Sequence, residues 1–205
     1  MTERCSWVPI GDRLYVAYHD LEWGMPVRDE RPLFELLCLE GAQAGLSWRT
    51  ILGRRDGYRA VFDDFDPERL AAFADERLET ILQDARIVRN RLKVYATRDN
   101  ARALLRLRTE REDGLSGLVW AVVGGRPIQN AWRANDDVPA VTPEAEALSS
   151  ALRKLGFRFV GPTICYAFMQ SAGLVNDHLA TCHRYSEVQS SARRLRARAP
   201  LNSAS

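Results

Sequence analysis

The chain has 205 residues, of which 46% are hydrophobic and 27% are charged, and its formal net charge is +2. These values predict one globular domain, or two closely packed lobes, and exclude a strong basic field that would attract polyanions at long range. No run reaches the roughly 20 apolar residues that a membrane-spanning helix needs, and the N-terminal residues lack the apolar stretch of a signal peptide. We therefore expect a cytoplasmic protein whose cysteines are thiols or metal ligands rather than disulfides.

Apolar residues recur at helical spacing through most of the sequence, which predicts an all-α bundle of short helices. In chain order the predicted helices are RPLFELLCLEGAQAG, SWRTILGRR, DPERLAAFA, DERLETILQDA, NRLKVYATRDNARALLRLRTE, TPEAEALSSALRKLG, PTICYAFMQSAG and VNDHLATCHRY. Ser47 and Thr142 suit helix N-termini, and Gly156 suits a helix C-terminus. The segment LSGLVWAVVGG fits a helix or a strand, and we favour a helix because no partner strand is predicted.

Residues 186–205 differ in composition from the rest of the chain, being rich in Ser, Ala and Arg and poor in apolar residues. Such a composition predicts a disordered, Arg-rich tail after a folded domain that spans residues 1–185.

The segment KLGFRFVGPT predicts a short hairpin between two helices. Pro162 suits the first turn of the second helix, so Gly161, Pro162 and Thr163 would form a helix N-terminus with outward-facing backbone amides. Amides in this arrangement can hold a phosphate, and a helix–hairpin–helix unit grips DNA in this way without reading its sequence. Most glycine-containing turns between helices are only turns, so the spacing alone favours a structural role.

Two of the three histidines lie in the segment GLVNDHLATCHRY. His178 and Cys182 are four residues apart, a spacing that puts both side chains on one face of a helix. Cys5 and His19, near the other end of the chain, complete the Cys₂His₂ set that is usual for a closed structural zinc site. Such a zinc would fasten the N-terminal segment to the last helix. Each of these residue types on its own is more often an ordinary core or surface residue, and the other two cysteines lie in apolar runs.

Several segments resemble those of the 3-methyladenine DNA glycosylase I family. They are RCSWV, LYVAYHDLEWGMPV, LFELLCLEGAQAGLSWRTIL, DFDP and LRKLGFRFVGPTICYAFMQSAGLVNDH. The likeness runs from about Arg4 to Tyr185 and is interrupted in the middle. Arg86 stands where a glycine is expected, and GGRPIQNAWRANDDVP resembles a variable loop that lies outside the motif-bearing segments.

The resemblance implies a helix–hairpin–helix DNA glycosylase fold in which one structural Zn²⁺ joins the two chain ends. The matching ligand positions are Cys5, His19, His178 and Cys182. The resemblance also implies a pocket for a damaged base, with Glu40 as its catalytic residue. The matching pocket positions are Trp7, Tyr18, Glu40 and Trp48. The implied reaction is hydrolysis of the N-glycosidic bond of 3-methyladenine in alkylated double-stranded DNA, which leaves an abasic site.

The pocket residues suit this substrate because N3-methylation gives adenine a positive charge. Aromatic faces attract a cation, and a buried carboxylate can accept a hydrogen bond from the exocyclic amine. Glu40 could recognise the base, or also stabilise the developing positive charge on the sugar, and both roles stay open. Its position just before Gly41 also fits an exposed helix end.

The resemblance further indicates a mechanism with little general-base activation. The wider superfamily has an essential Asp in a V-D-x-H-like segment, whereas VNDH puts Asn176 at that position and Asp177 one residue later. Catalysis would then rest on stabilising the transition state of an already labile nucleotide. Lys93 and Lys154 are expected to face solvent, so we predict no lyase step and a monofunctional, monomeric enzyme.

Two other functional classes share some of these features. A non-catalytic reader of alkylated DNA would have the same hairpin, zinc and aromatic residues, but it would bind without releasing a base. A zinc hydrolase would need one of the four proposed ligands to be free, so that the metal could activate a water molecule. Glu40 together with the full pocket set favours the glycosylase over the reader.

Overall fold

The computed structural model describes residues 2–198, with the side chains of residues 2–191. Over this range the prediction of a mainly helical protein is confirmed. The helices are α1 (Arg13–Leu21), α2 (Glu30–Gln43), α3 (Trp48–Leu52), α4 (Arg55–Val61), α5 (Pro67–Ala71), α6 (Asp75–Ile81), α7 (Arg91–Glu110), α8 (Gly114–Ala121), α9 (Pro143–Lys154), α10 (Pro162–Ser171) and α11 (Arg184–Arg198). The strands are β1 (Ile128–Gln129) and β2 (Val175–Asn176).

The predicted helix ends are confirmed by their hydrogen bonds. The Ser47 side chain accepts from the Thr50 amide at the start of α3, and Thr142 accepts from the Ala145 amide at the start of α9. Gly156 follows α9 with a φ of +87°, a left-handed backbone that favours glycine. The ambiguous segment LSGLVWAVVGG forms α8, as favoured. The segments of α1 and α4 carried no helix prediction of their own.

The all-α prediction missed a short parallel strand pair. Ile128 pairs with Val175, and Gln129 pairs with Asn176. Strands of two residues are too short to show the alternating apolar pattern by which strands are recognised in a sequence.

The helix predicted for VNDHLATCHRY is wrong, because this segment is irregular between β2 and α11. Its backbone forms long-range hydrogen bonds where a helix would form local ones. The Ala180 amide donates to the Trp132 carbonyl at 2.8 Å, and the His183 amide donates to the Glu3 carbonyl at 3.0 Å. Partners so distant in sequence cannot be found from periodicity.

The tail predicted over residues 186–205 overlaps the last helix of the described range. α11 continues to Arg198, and residues 199–205 lie outside the described range. Its first turns are held by tertiary contacts, because Val188 is fully buried and the Tyr185 carbonyl accepts from the Asn176 side chain at 3.2 Å. Across the described residues, no helix combines the length and the apolar content needed to cross a membrane.

Two hydrophobic clusters form the core, and the half-buried Trp48 packs against both of them. The larger cluster joins α2 to α4, α5, α7, α8, α9 and α10, and its largest fully buried side chains are Phe34, Phe62, Phe65 and Phe168. The smaller cluster joins the N-terminal segment to the segment after β2, and its members are Cys5, Val8, Tyr18, Trp23, Leu52, Leu179 and Cys182.

The C-terminal end of α2 is held by a lysine from α7. The Lys93 ammonium donates to the carbonyl oxygens of Ala42 at 2.8 Å and of Ala44 at 2.6 Å. A cation in this position also interacts favourably with the helix dipole. The expectation that Lys93 faces solvent is therefore corrected, whereas Lys154 is exposed as expected.

Replacing Lys93 by Met tests this contact, because Met keeps an aliphatic side chain and removes the ammonium. We expect the free energy of unfolding, measured by urea denaturation, to fall by about 1–3 kcal/mol. Lys154→Met in the exposed last turn of α9 is the matched control, with an expected change below about 0.5 kcal/mol. Equal stabilities for the two variants would contradict the role given to Lys93.

Candidate functional site

Four side chains from the two ends of the described chain meet in one buried cluster. They are Cys5, His19, His178 and Cys182, and their ligand atoms all lie within 4.8 Å of one another. Cys182 Sγ is 3.5 Å from His19 Nε2 and 3.6 Å from His178 Nδ1, and Cys5 Sγ is 3.6 Å from the same His178 atom. The cluster predicted from the sequence is therefore assembled in the fold.

These separations suit a single metal ion. A tetrahedral ion with a sulfur ligand at about 2.3 Å and a nitrogen ligand at about 2.1 Å holds the two ligand atoms about 3.6 Å apart. A hydrogen bond from Cys5 and those from the two histidines, acting against burial, lower the pKa of Cys182 below its usual range. One sulfur thus already favours the thiolate form that binds metals.

Neighbouring groups orient both histidine rings toward the cluster. His178 Nε2 lies 3.0 Å from the Trp23 carbonyl, and His19 Nδ1 lies 2.7 Å from an Asp20 carboxylate oxygen, so each ring directs its other nitrogen at the sulfurs. Arg4 forms a 2.6 Å ion pair with Asp20, and its hydrogen bond, followed by that of His19, lowers the pKa of Asp20 to about 2. Such second-layer contacts are typical of metal-binding histidines.

Glycine is needed where the backbone passes the second histidine. Gly24 has a φ of +78°, and a Cβ atom there would lie 3.1 Å from His178 Nε2. The absence of a side chain lets the Trp23 carbonyl reach the ring.

A cavity of about 220 Å³ lies beside the cluster. Its aromatic lining residues are Trp7, Tyr15, Tyr18, Trp23 and Trp48, and its polar lining residues include Glu40, Gln43, Asn135, Gln170 and Asp177. The rings contact one another, with centroids 4.9 Å apart for Trp7 and Trp23 and 5.5 Å apart for Tyr18 and Trp48. The four pocket residues predicted from the sequence thus line one cavity.

The cluster and the cavity share residues that are adjacent in sequence. Tyr18 lines the cavity while His19 joins the cluster, and Asp177 lines the cavity while His178 joins the cluster. The Trp23 ring lies between the two sites, 4.7 Å from the His178 ring by centroid. Fixing the cluster therefore also fixes two parts of the cavity wall.

Glu40 is buried in the cavity wall rather than exposed at a helix end. Its exposed fraction is 4%, and burial, partly offset by a hydrogen bond from Ser171, raises its pKa from 4.5 to about 8. Its nearness to the rings shows in Tyr18, whose pKa is raised first by burial and then by the Glu40 charge. Near neutral pH Glu40 is therefore mainly protonated, with one O–H donor and one carbonyl acceptor.

The indole N–H of Trp48 is buried and has no hydrogen-bond partner among the described residues. Buried donors are nearly always paired, so an unpaired one in a cavity wall requires an explanation. Because this nitrogen has almost no accessible surface, a partner could reach it only if the ring or the cavity wall shifted.

The predicted hairpin is present and touches α2 beside Glu40. Gly161 precedes α10 with a φ of −64°, so no left-handed backbone requires glycine there, and Thr163 is exposed. Phe159, with a φ of +55°, packs so closely on Gly41 that a Cβ there would lie 3.1 Å from the Phe159 Cβ. The hairpin is thus in direct contact with the helix turn that carries the buried acid.

Sequence reasoning missed the contribution of the loop between β1 and α9. The loop lies outside the motif-bearing segments, yet Asn135 and Val138 line the cavity. The side chains of Asn130 and Trp132 both donate to Asp177. Nothing in the polar, aperiodic sequence of the loop signals these contacts. Neither Lys93 nor Lys154 lines the cavity.

Comparison with known proteins agrees with this geometry. A sequence model described as methyladenine glycosylase matches residues 7–185. Over 183 residues the chain is 49% identical to DNA-3-methyladenine glycosylase 1 of Escherichia coli (strain K12), which covers 89% of this chain and 97% of that protein.

Two solved structures extend the comparison to the fold. A crystal structure of 3-methyladenine DNA glycosylase I is 50% identical, with a TM-score of 0.86 over 88% of this chain and 98% of that chain. A tyrosine variant of a 3-methyladenine DNA glycosylase I, in complex with 3-methyladenine, is 34% identical, with a TM-score of 0.82 over 86% and 95% of the two chains. The chain belongs to the methyladenine glycosylase family.

Proposed function

We propose that the protein is a monofunctional DNA glycosylase that hydrolyses the N-glycosidic bond of 3-methyladenine in alkylated double-stranded DNA. The observation that carries this proposal is the small cavity that combines aromatic walls with the buried acid Glu40. An alkylated purine gains from both features, because the ring faces attract its positive charge and the acid can hydrogen-bond to its edge. The products are free 3-methyladenine and an abasic site, as in base-excision repair.

Base recognition is assigned to Trp7, Tyr18, Glu40 and Trp48. A protonated Glu40 can accept from the exocyclic amine and donate to a ring nitrogen of the base, which is the pattern that the edge of adenine offers. The Trp48 ring contributes a further aromatic face beside Tyr18. The rings of Trp7 and Tyr18 then enclose the base.

The base reaches the cavity only after it leaves the duplex, at a cost of a few kcal/mol. We assign the DNA grip to Gly161, Pro162 and Thr163 at the start of α10, as expected for a member of the helix–hairpin–helix superfamily. The contact between Phe159 and Gly41 would transmit the position of the bound backbone to the turn that carries Glu40. We propose that residues 1–185 form one glycosylase domain. We also propose that the protein is a monomer and that it acts in the cytoplasm.

A single assay separates the glycosylase from a non-catalytic reader. The protein is incubated with methylated duplex DNA, and the released bases are identified by chromatography. Release of free 3-methyladenine without strand cleavage supports the proposal. No lyase step is expected, because neither lysine of the chain lies in the cavity wall. Binding to methylated DNA without any released base would show that the protein is a reader.

Glu40 is the first residue to test. Glu40→Ala removes one hydrogen-bond donor and one acceptor, so we expect the single-turnover excision rate to fall by about 10- to 100-fold. Glu40→Gln keeps one donor and one acceptor, so its excision rate is expected to fall less than that of Glu40→Ala. Excision by Glu40→Ala at the wild-type rate would show that Glu40 has no role in base recognition or excision.

The raised pKa of Glu40 also predicts a dependence of stability on pH. Between its unfolded value of 4.5 and its folded value of about 8, the folded state keeps a proton that the unfolded state has released. Stability therefore falls as pH rises through this range, by about 1 kcal/mol per pH unit. Denaturation of the wild type and of Glu40→Gln at about pH 5 and about pH 8 measures the effect, because the amide does not titrate. Parallel pH profiles for the two proteins would contradict the raised pKa.

We further propose that the Cys/His cluster holds one structural Zn²⁺ per chain. Two sulfurs and two nitrogens at these separations form the donor set that zinc prefers. With all four protein ligands engaged, no position remains for an activated water, which argues against a zinc hydrolase. The ion would join Cys5 and His19 to His178 and Cys182 and would thereby hold the cavity wall in place.

Cys182→Ser tests the metal proposal. We expect the zinc content, measured by atomic absorption, to fall well below one ion per chain and the thermal midpoint to fall with it. Cys165→Ser is the matched control, because Cys165 is a buried thiol outside the cluster that donates to the Val160 carbonyl, as a serine hydroxyl also can. Full zinc content in Cys182→Ser would show that the cluster is not the metal site.

A further inference from the structure

The cavity contains a second buried acid that the proposed mechanism does not use. Asp177 is 2% exposed and lines the same cavity as Glu40. Its neighbour Asn176 is directed away from the cavity, with its side chain donating to Gln129 Oε1 and to the Tyr185 carbonyl. The acid that faces the cavity in this segment is therefore Asp177.

Four neutral donors surround the Asp177 carboxylate. Oδ1 accepts from Asn130 Nδ2 at 2.7 Å and from Trp132 Nε1 at 2.8 Å. Oδ2 accepts from the Tyr166 hydroxyl at 2.6 Å and from Gln170 Nε2 at 2.8 Å. Such donors stabilise a negative charge without cancelling it, and Asp177 has no ion pair with any of the described Lys, Arg or His residues.

This saturation excludes two chemical roles for Asp177. A carboxylate has about four lone-pair sites, and the protein donors occupy all of them. No site remains from which the group could take a proton from water or attack a sugar carbon. The group can act only through its charge, held in place by fixed donors, which is how preorganised electrostatic stabilisation works.

Glu40 differs from Asp177 in the same cavity. It has no ring of donors, and its pKa of about 8 keeps it mainly neutral near neutral pH. No Lys or Arg among the residues with described side chains lines the cavity, so within that part of the chain these two acids decide its charge. One acid then supplies hydrogen bonds and the other supplies charge.

We propose that Asp177 is the specificity-determining charge of the cavity, which selects cationic alkylated purines over neutral purines of the same shape. This inference rests on the proposed base-binding role of the cavity and deepens it. Glu40 recognises the edge of the base and contributes little to the choice between charged and neutral ligands.

Two small ligands of matched shape test the proposal. One is the fixed cation 3,9-dimethyladeninium, in which a methyl group replaces the sugar, and the other is its neutral isostere with carbon in place of N3. Dissociation constants are measured at about pH 7.5 by quenching of the cavity tryptophans. The wild type is expected to bind the cation at least about tenfold more tightly, a difference that one unscreened charge can readily provide.

Asp177→Asn is the central variant, because it removes the charge and keeps the shape. Asn130 and Trp132 can still donate to its amide oxygen, while the Tyr166 hydroxyl and the Gln170 amide can reverse and accept from its amide nitrogen. The aromatic walls still attract a cation in this variant. We therefore expect the preference for the cation to fall by at least about fivefold, with the affinity for the neutral isostere changed less than about threefold. General structural damage would weaken the binding of both ligands and leave the ratio of their dissociation constants unchanged.

Two further variants complete the design. Glu35→Gln removes another buried carboxylate, which pairs with Arg55 and Arg59 outside the cavity, and it is expected to keep the preference. Glu40→Gln is expected to weaken the binding of both ligands alike and to keep the preference for the cation. This variant can therefore overturn the proposal even if Asp177→Asn does not fold.

Three results would each overturn the proposal: equal binding of the two ligands by the wild type, a preserved preference in Asp177→Asn, or a lost preference in Glu40→Gln. Failure of the glycosylase proposal would look different. The wild type would then prefer the cation without releasing 3-methyladenine from methylated DNA.

Discussion

The convergence of Cys5 and His19 with His178 and Cys182 is the constraint on which the site depends. These residues come from opposite ends of the described chain, and each histidine has a neighbour in sequence that lines the cavity. A metal bound by all four would therefore fix Tyr18 and Asp177 at the same time as it fixes the chain ends. Without such a link, α1 and the irregular segment after β2 would have to form a binding wall from packing alone.

The cavity behind this wall combines features that are costly to bury separately. A neutral acid, Glu40, offers one hydrogen-bond donor and one acceptor, while the buried Asp177 carboxylate already has every hydrogen-bond partner that it can take. The first suits recognition of a base edge, and the second suits a positive charge. An alkylated purine offers an edge and a charge together, whereas normal adenine offers only the edge. The hairpin that packs on Gly41 connects this chemistry to the proposed grip on DNA.

Much of the fold could be predicted from the sequence, because long amphipathic segments with capping residues, such as α7 and α9, encode their own ends. The Cys/His cluster could also be predicted, since its four residues are chemically distinctive. Helical spacing is nevertheless the wrong reason for pairing His178 with Cys182, because both lie in an irregular segment held by hydrogen bonds to Glu3 and Trp132. The burial of Glu40 and the contacts of the β1–α9 loop depend on residues far away in sequence, which no local pattern records.

The central claim is that the Cys/His cluster holds the base-binding cavity in its competent shape. Calorimetric titration of free 3-methyladenine into zinc-loaded protein and into the same protein after chelation tests it most directly. The account predicts saturable binding to the zinc-loaded form and an affinity at least about tenfold lower after chelation. Equal affinities for the two forms, with zinc loss verified, would contradict it.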